Sequence, residues 1–278
     1  MQLFVTTKGI ARALKSGVDE LEVVDRNAPD LKTFLATNGL ERLRQMTPLE
    51  TIKMSEAHFL PPIATPARFV IVGLNYRAHS NEVGKGVPEH PIFFDVPGTA
   101  AHGAGLPVKI PAGAPDRVDY EGEIGIVIGR RAERIAAEDA WSVVAGITPV
   151  NDVSARDVQA GGTLEALSQA KGFPTFKPFG PCLACLDEFD DLLDISIRTW
   201  VNGELRQEAR SSDMVFSLPE IIEAVSAHTV LEPGDVICTG SPSGVAQGGA
   251  FPFLKHGDKV EIEIEGFPRL LNEFTSER

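Results

Sequence analysis

The segment DYEGEIGIVIG, residues 119–129, carries two carboxylates two positions apart, Glu121 and Glu123. Side chains of an extended strand alternate between faces, so both acids point the same way. Gly125 falls on that face and leaves room beside them, while Tyr120, Ile124, Ile126 and Ile128 fall on the other face and read as core. Two carboxylates a pleat apart repel each other unless a cation sits between them. Asp152 follows the apolar run VVAGITPV and adds a third oxygen donor at the end of a buried strand. Hard carboxylate ligands, with no Cys and few His, favour Mg2+, with Mn2+ or Ca2+ next. Three such ligands leave positions open for substrate and water. The chain contains its own contrast. KVEIEIEG sets Glu261, Glu263 and Glu265 against Val260, Ile262 and Ile264, the plain alternation of an exposed strand.

A second cluster lies in GLNYRAHSNE, with Asn75, a candidate substrate contact, beside His79 and Glu82. His79 and Glu82 stand at i, i+3 and are neighbours on one helical turn. A carboxylate beside an imidazole raises its basicity and fixes its tautomer, which suits a general base. A third cluster combines Arg156 and Gln159 in ARDVQ with Lys171 in AKGFPTFKPFGP. An arginine one helical turn beyond Asp152 can fork a substrate carboxylate. Cys182 and Cys185 form a lone CxxC; with Cys238 as the third cysteine there is no second pair for a structural zinc, so these read as buried packing thiols.

The elements that must hold these groups are mostly strands. FVIVGL, PIFFDV, EGEIGIVIG, DISIRTWV, DVICTG and KVEIEIEG have strand character, and Asn202-Gly203 between RTWV and ELRQE marks a hairpin. Helices are expected at AEDAWSVV, through ARDVQAGGTLEAL and at LPEIIEAVSAH. Strands and helices do not alternate regularly, so a doubly wound sheet is not expected. The expected fold class is α+β, predominantly β, around a curved mixed sheet. Residues 1–66 read as a small α+β unit with its linker. DELEVVD is its strand, Leu31, Phe34 and Leu35 share a helical face ended by Asn38-Gly39, and FLPPIATPAR connects it to residues 67–278.

Composition narrows the function. The 278 residues are 43% hydrophobic and carry a formal net charge of −13. A chain this acidic, with no Lys/Arg cluster, is not expected to bind nucleic acid. Its field repels an acidic substrate, so a carboxylate substrate must be held by local cations. No apolar run reaches membrane-span or signal-peptide length, which leads to an expectation of no membrane partner and a cytoplasmic location. No GxGxxG or Walker loop supports a nucleotide cofactor.

GLNYRAHSNE, DYEGEIGIVIG, GITPVNDVSARDVQ, FKPFGP, LEPGDVICTGSPSG and LKHGDKVEIEIEG occur together and in this order. From about residue 67 to the C-terminus the chain thereby resembles the fumarylacetoacetate hydrolase family. The resemblance implies a mixed β-sandwich roll, a homodimer, and a Mg2+-type ion on Glu121, Glu123 and Asp152. It implies substrate contacts from Arg156, Gln159 and Lys171, with Lys171 a candidate proton donor or charge stabiliser, and a His79–Glu82 dyad that handles water. The run TGSPSG, with Thr239, Gly240 and Ser241, resembles the family's substrate-contacting turn, with Ser241 in place of a usual Thr. Val96 and Pro174 depart from the family's common Lys and acid and bear on the acyl side of the pocket.

The implied activity is hydrolysis of a carbon–carbon bond in a small 2,4-diketo acid of acylpyruvate type, through a metal-stabilised enolate. The same enolate also serves oxaloacetate-type decarboxylation and the hydration or isomerisation of unsaturated 2-oxo acids. A catalytically silent metal-binding relative is a further alternative.

Overall fold

The computed structural model describes residues 1–15, 17, 19–35 and 39–277. Two sheets dominate. The larger has eleven strands and runs, from one edge, Glu50–Lys53, Glu20–Asp25, Gly9–Ala13, Gln2–Thr6, Cys182–Ala184, Val144–Asn151, Gly122–Ile128, Val236–Cys238, Arg68–Gly73 and Ile92–Pro97. Its eleventh strand, Phe59–Leu60, pairs with Gln2–Thr6 off this path. The smaller has five, in the order Glu204–Arg210, Ser196–Val201, Lys259–Ile264, Leu270–Ser276 and Val108–Ile110. Most pairings are antiparallel, but Val236–Cys238 with Arg68–Gly73 and Leu270–Ser276 with Val108–Ile110 are parallel. The result is an α+β, predominantly β, mixed sandwich.

Alternation along Gly122–Ile128 divides the core. Ile124, Ile126 and Ile128 join Ile197, Ile262 and Phe274 of the smaller sheet in one apolar cluster. Val127 turns the other way and packs with Phe69, Ile71, Leu3, Val5 and Leu31. A strand that is apolar on both faces must be covered on both. The stretch before residue 67, read above as a small unit with its linker, supplies one of those covers. Its strand Gln2–Thr6 pairs with Cys182–Ala184, and Leu3 and Phe34 lie in the second core beside Val96 and Phe179.

Local signals explain the other elements. Asn202 and Gly203 both adopt positive φ, 53° and 81°, as a tight two-residue hairpin requires. Ser217 and Glu220 form a capping box for helix Leu218–His228. The ARDVQAGGTLEAL stretch is two short helices, Arg156–Gln159 and Leu164–Lys171, parted by Gly162 at φ 67°, with the Thr163 side chain capping the second. AEDAWSVV is not an α-helix. Ala137–Val143 is a 3-10 helix, because Val144 already starts the next strand. The helix at Lys32–Leu35 is one turn, and the expected stop residue Asn38 lies outside the described residues. In Lys259–Ile264 the valine and isoleucines are buried while Glu261 and Glu263 pair with Arg269.

The three cysteines are buried and free. Burial pushes the Cys182 thiol up to about 12 and Cys185 to about 11. Among the described residues no helix is long and apolar enough to cross a membrane.

A shared core has a measurable consequence. Leu3→Ala should cost about 2–5 kcal/mol, the usual range for emptying a buried leucine site, and should lower one cooperative thermal transition of the whole chain. A separate early transition that leaves residues 67–278 unaffected would instead mark residues 1–66 as an independent unit.

Candidate metal centre and substrate cavity

Cross-strand register assembles the acids. Gly122 faces Asn151 across the central antiparallel pair, so Glu121 and Asp152 flank the next step, tied by the Asp152 amide donating to the Glu121 carbonyl at 2.8 Å. Carboxylate oxygens of Glu121, Glu123 and Asp152 all lie within 4.8 Å of one another, and all three side chains are buried. Among the described residues this is the one group of three His, Cys, Asp or Glu close enough to share an ion. Gly122 is required by the second sheet, since a Cβ there would stand 2.0 Å from Thr199 Oγ1. Gly125 does not leave room for the acids as expected. Its missing Cβ admits Val150, whose Cγ2 would be 2.4 Å away.

Cations surround the acids. Arg156 donates from Nε to Asp119 at 2.9 Å, from one terminal nitrogen to Glu121 at 2.6 Å and from the other to Gln159 at 2.8 Å. The arginine expected to fork a substrate carboxylate is thus occupied by the protein's own acids, although it lines the cavity. The Lys171 ammonium donates to Glu121 at 2.6 Å and also to Asp152 Oδ2. Lys177, wholly buried, places its Nζ 2.8 Å from Asp152 Oδ1.

Charge explains the electrostatics. The buried acids Asp119, Glu121, Glu123 and Asp152 number four and the buried cations Arg156, Lys171 and Lys177 number three, which leaves one excess negative charge. Burial alone would raise Glu121, but Arg156 and Lys171 outweigh it and hold this carboxyl below its usual range. Among the described residues Glu123 makes no ion pair, and Lys171 and the Gly240 amide only partly offset its burial. Burial, then the charges of Asp152 and Glu121, push it well above the usual range. Burial disfavours a charged Lys171, yet Asp152 and Glu121 more than compensate and keep it an ammonium. The site is therefore short of positive charge at Glu123, and an ammonium already sits between the other two acids. Both features fit a divalent cation.

His79 and Glu82 lie on helix Arg77–Glu82, with His79 Nδ1 3.3 Å from Glu82 and both side chains largely shielded. The other Glu82 oxygen accepts from the Gly244 amide at 2.9 Å, which ties the dyad to the loop after Ser241. That loop is anchored in turn. The Ala246 and Gln247 amides donate to Asp119, and Gln207 donates to Ser241 Oγ at 2.7 Å.

His79, Glu121, Glu123, Asp152, Arg156, Gln159, Lys171 and Ser241 line one cavity of about 390 Å3. Its apolar walls are Leu74, Val83, Ile92, Phe94 and Leu167. A larger, wider depression near Leu35 and Trp141 contains none of these groups. Three expected contacts do not reach the cavity lining. Asn75 is wholly buried and spends its amide on the Phe216 and Thr239 carbonyls. Thr239 donates its hydroxyl to the Ile124 carbonyl, and the Gly240 amide holds Glu123 at 3.0 Å. Val96 points into the second core and Pro174 is exposed, so neither departure touches the cavity. Asp119 and Lys177 went unremarked in the sequence. Asp119 shares the alternation of Glu121 and Glu123, and Lys177 is a lone cation among phenylalanines, so both left a signal.

Glu121→Gln, Glu123→Gln and Asp152→Asn should each weaken Mn2+ or Mg2+ binding at least roughly tenfold, an effect that even outer partners of metal ligands reach. Because Glu123 is raised, it keeps its proton to higher pH, and a cation must displace that proton. Affinity should therefore rise with pH, with proton release in calorimetry across buffers of different ionisation heat. Normal binding in all three variants, or an affinity that falls as pH rises, would remove the ion from this site.

The family model described as fumarylacetoacetate (FAA) hydrolase C-terminal matches residues 68–275. The oxaloacetate tautomerase FAHD2B of Bos taurus is 40% identical over 270 residues, covering 95% of this chain and 86% of its own. The structure of a 5-carboxymethyl-2-hydroxymuconate delta-isomerase from Mycobacterium smegmatis is similar with TM-score 0.79 and 33% identity over 100% of both chains. A maleylpyruvate hydrolase from Sphingobium sp. SYK-6, solved with manganese(II) and pyruvate, gives TM-score 0.81 and 28% identity over 100% of both chains. The sandwich, the buried tri-carboxylate and the match over three quarters of its length make this chain a member of the fumarylacetoacetate hydrolase family of enzymes.

Proposed function

We propose that this chain interconverts the enol and keto forms of a small 2-oxo dicarboxylate of oxaloacetate type, using a divalent cation, Mg2+ or Mn2+, on Glu121, Glu123 and Asp152. A cation held there supplies Lewis-acid polarisation of the 2-oxo group and stabilises the charge that develops on its oxygen. The observation that carries the reading is Lys171, a buried side chain kept protonated by Glu121 and Asp152 at the cavity wall. Tautomerisation moves one proton between an oxygen and a carbon: a C3–H bond forms as the enol O–H bond breaks. In the ketonising direction the Lys171 ammonium gives a proton to C3 and the amine it becomes takes up the proton lost by the enol hydroxyl, so Lys171 ends as it began; the reverse direction runs the same two transfers backwards. Arg156 keeps Glu121 ionised and oriented, and Gln159 and Ser241 offer polar contacts to the substrate's oxygens. The FAHD2B relative, named an oxaloacetate tautomerase and similar over 95% of the chain, supports the same reading.

A second reading is hydrolysis of a 2,4-diketo acid, as in acylpyruvates. The His79–Glu82 dyad favours it, since tautomerisation has no use for an activated water. There His79, oriented by a Glu82 pinned to Gly244, takes the proton of the attacking water. A homodimer in the cytoplasm suits either reading.

The two readings separate on two variants. Lys171→Met should slow oxaloacetate tautomerisation by roughly 100-fold or more, the usual scale for losing a general acid. His79→Ala should leave tautomerisation within a few-fold of wild type and abolish any cleavage of acylpyruvates. Both are followed by loss of enol absorbance and by product NMR. If wild type cleaves acylpyruvates but does not speed oxaloacetate tautomerisation above background, the hydrolase reading replaces the tautomerase.

A further inference from the structure

Lys177 is a buried cation that neither reading of the chemistry uses. It belongs to the two-residue strand Lys177–Pro178 and has no exposed surface. Its Nζ donates to the Lys171 carbonyl at 2.6 Å and to the Phe176 carbonyl at 3.2 Å. The first of these carbonyls ends helix Leu164–Lys171, so one ammonium ties down the helix end that carries Lys171. Its third neighbour is Asp152 Oδ1 at 2.8 Å. That oxygen makes no well-directed hydrogen bond, so its charge is met by Lys177 alone among the described residues.

Asp152 is thus gripped from two sides. Lys171 holds Oδ2 from the cavity wall, whereas Lys177 holds Oδ1 from behind and does not line the cavity. The two contacts differ in what can replace them. An ion bound from the cavity side would compete with Lys171, which lines that cavity beside Asp152. It cannot compete with Lys177, whose ammonium would be left in the core with one acceptor fewer, at a cost far above that of an exposed ion pair.

We infer that Lys177 is a positioning residue that reserves one oxygen of Asp152, so that this ligand offers a cation a single oxygen. The inference rests on the reading of Glu121, Glu123 and Asp152 as cation ligands. A one-oxygen aspartate keeps the ligand count low and leaves coordination positions for a substrate. It favours small six-coordinate ions of Mg2+ or Mn2+ type over Ca2+, which takes six to eight oxygens and accepts two-oxygen carboxylates. Lys177 therefore sets ion selectivity without touching the ion or the substrate.

The test is calorimetric binding of Mg2+, Mn2+ and Ca2+ to wild type, Lys177→Met and Lys177→Gln, with folding checked by circular dichroism. Freeing Oδ1 should raise the affinity for Ca2+ relative to Mg2+ by roughly tenfold, the low end of what outer partners of a ligand contribute. A general structural defect would weaken all three ions together. An unchanged ratio in a folded variant overturns the inference. If wild type binds no divalent ion, the site reading fails first, and the two failures are distinct. Should neither variant fold, the wild-type structure with Mn2+ decides: Asp152 bound through Oδ2, with Lys177 still on Oδ1, supports the role, and Asp152 bound through both oxygens overturns it.

Discussion

Everything in this molecule that bears on chemistry depends on burying four carboxylates beside three cations. Ion burial is expensive, and it is sustained only when each oxygen finds a donor or a cation. Arg156 bridges Asp119 and Glu121, Lys171 bridges Glu121 and Asp152, and Lys177 backs Asp152. Among the described residues Glu123 is left with one backbone amide, from Gly240. Counted as ionised groups, the acids exceed the cations by one, a demand that a proton on Glu123 meets until a cation displaces it.

The sandwich exists to make that demand precise in space. The strand carrying Glu123 is buried on both faces and is sealed by the smaller sheet on one side and by the N-terminal strands on the other. Gly122 allows the sheets to approach, and Gln207 crosses from the smaller sheet to accept from the Gly122 amide and to donate to Ser241. Asp119 does two jobs at once: it orients Arg156 and it accepts from the amides of the 246–247 turn. Through Gly244 that same loop meets Glu82, so the dyad and the tri-carboxylate are braced against a common segment. A Cβ at Gly248 would stand 2.4 Å from Glu82, which shows how closely the loop packs on the dyad.

The acids were legible because period-two alternation needs no tertiary knowledge: Glu121 and Glu123 had to share a face. The hairpin at Asn202-Gly203 and helix Leu218–His228 were legible for the same reason, since turn and cap chemistry are local. What was not legible depends on partners distant in sequence. Nothing near Arg156 says that Asp119 and Glu121 will claim its guanidinium. Nothing near Asn75 says that its amide will be consumed by Phe216 and Thr239. The room expected beside Gly125 is absent because the space at a glycine belongs to the neighbouring strand, here to Val150. The strand pairing of Gln2–Thr6 with Cys182–Ala184 is invisible for a related reason, as a strand carries no mark of a partner so distant in the sequence.

The central claim is that a divalent cation on Glu121, Glu123 and Asp152 is the receptor for a 2-oxo carboxylate. Oxalate has the same pair of adjacent oxygens and cannot react. Thermal unfolding with increasing oxalate, in Mg2+ and in chelator, tests the claim most directly. A ligand that binds only the folded, cation-loaded site raises the midpoint steadily with its concentration. That rise is expected in Mg2+ and not in chelator; an equal rise in both would take the cation out of the substrate site.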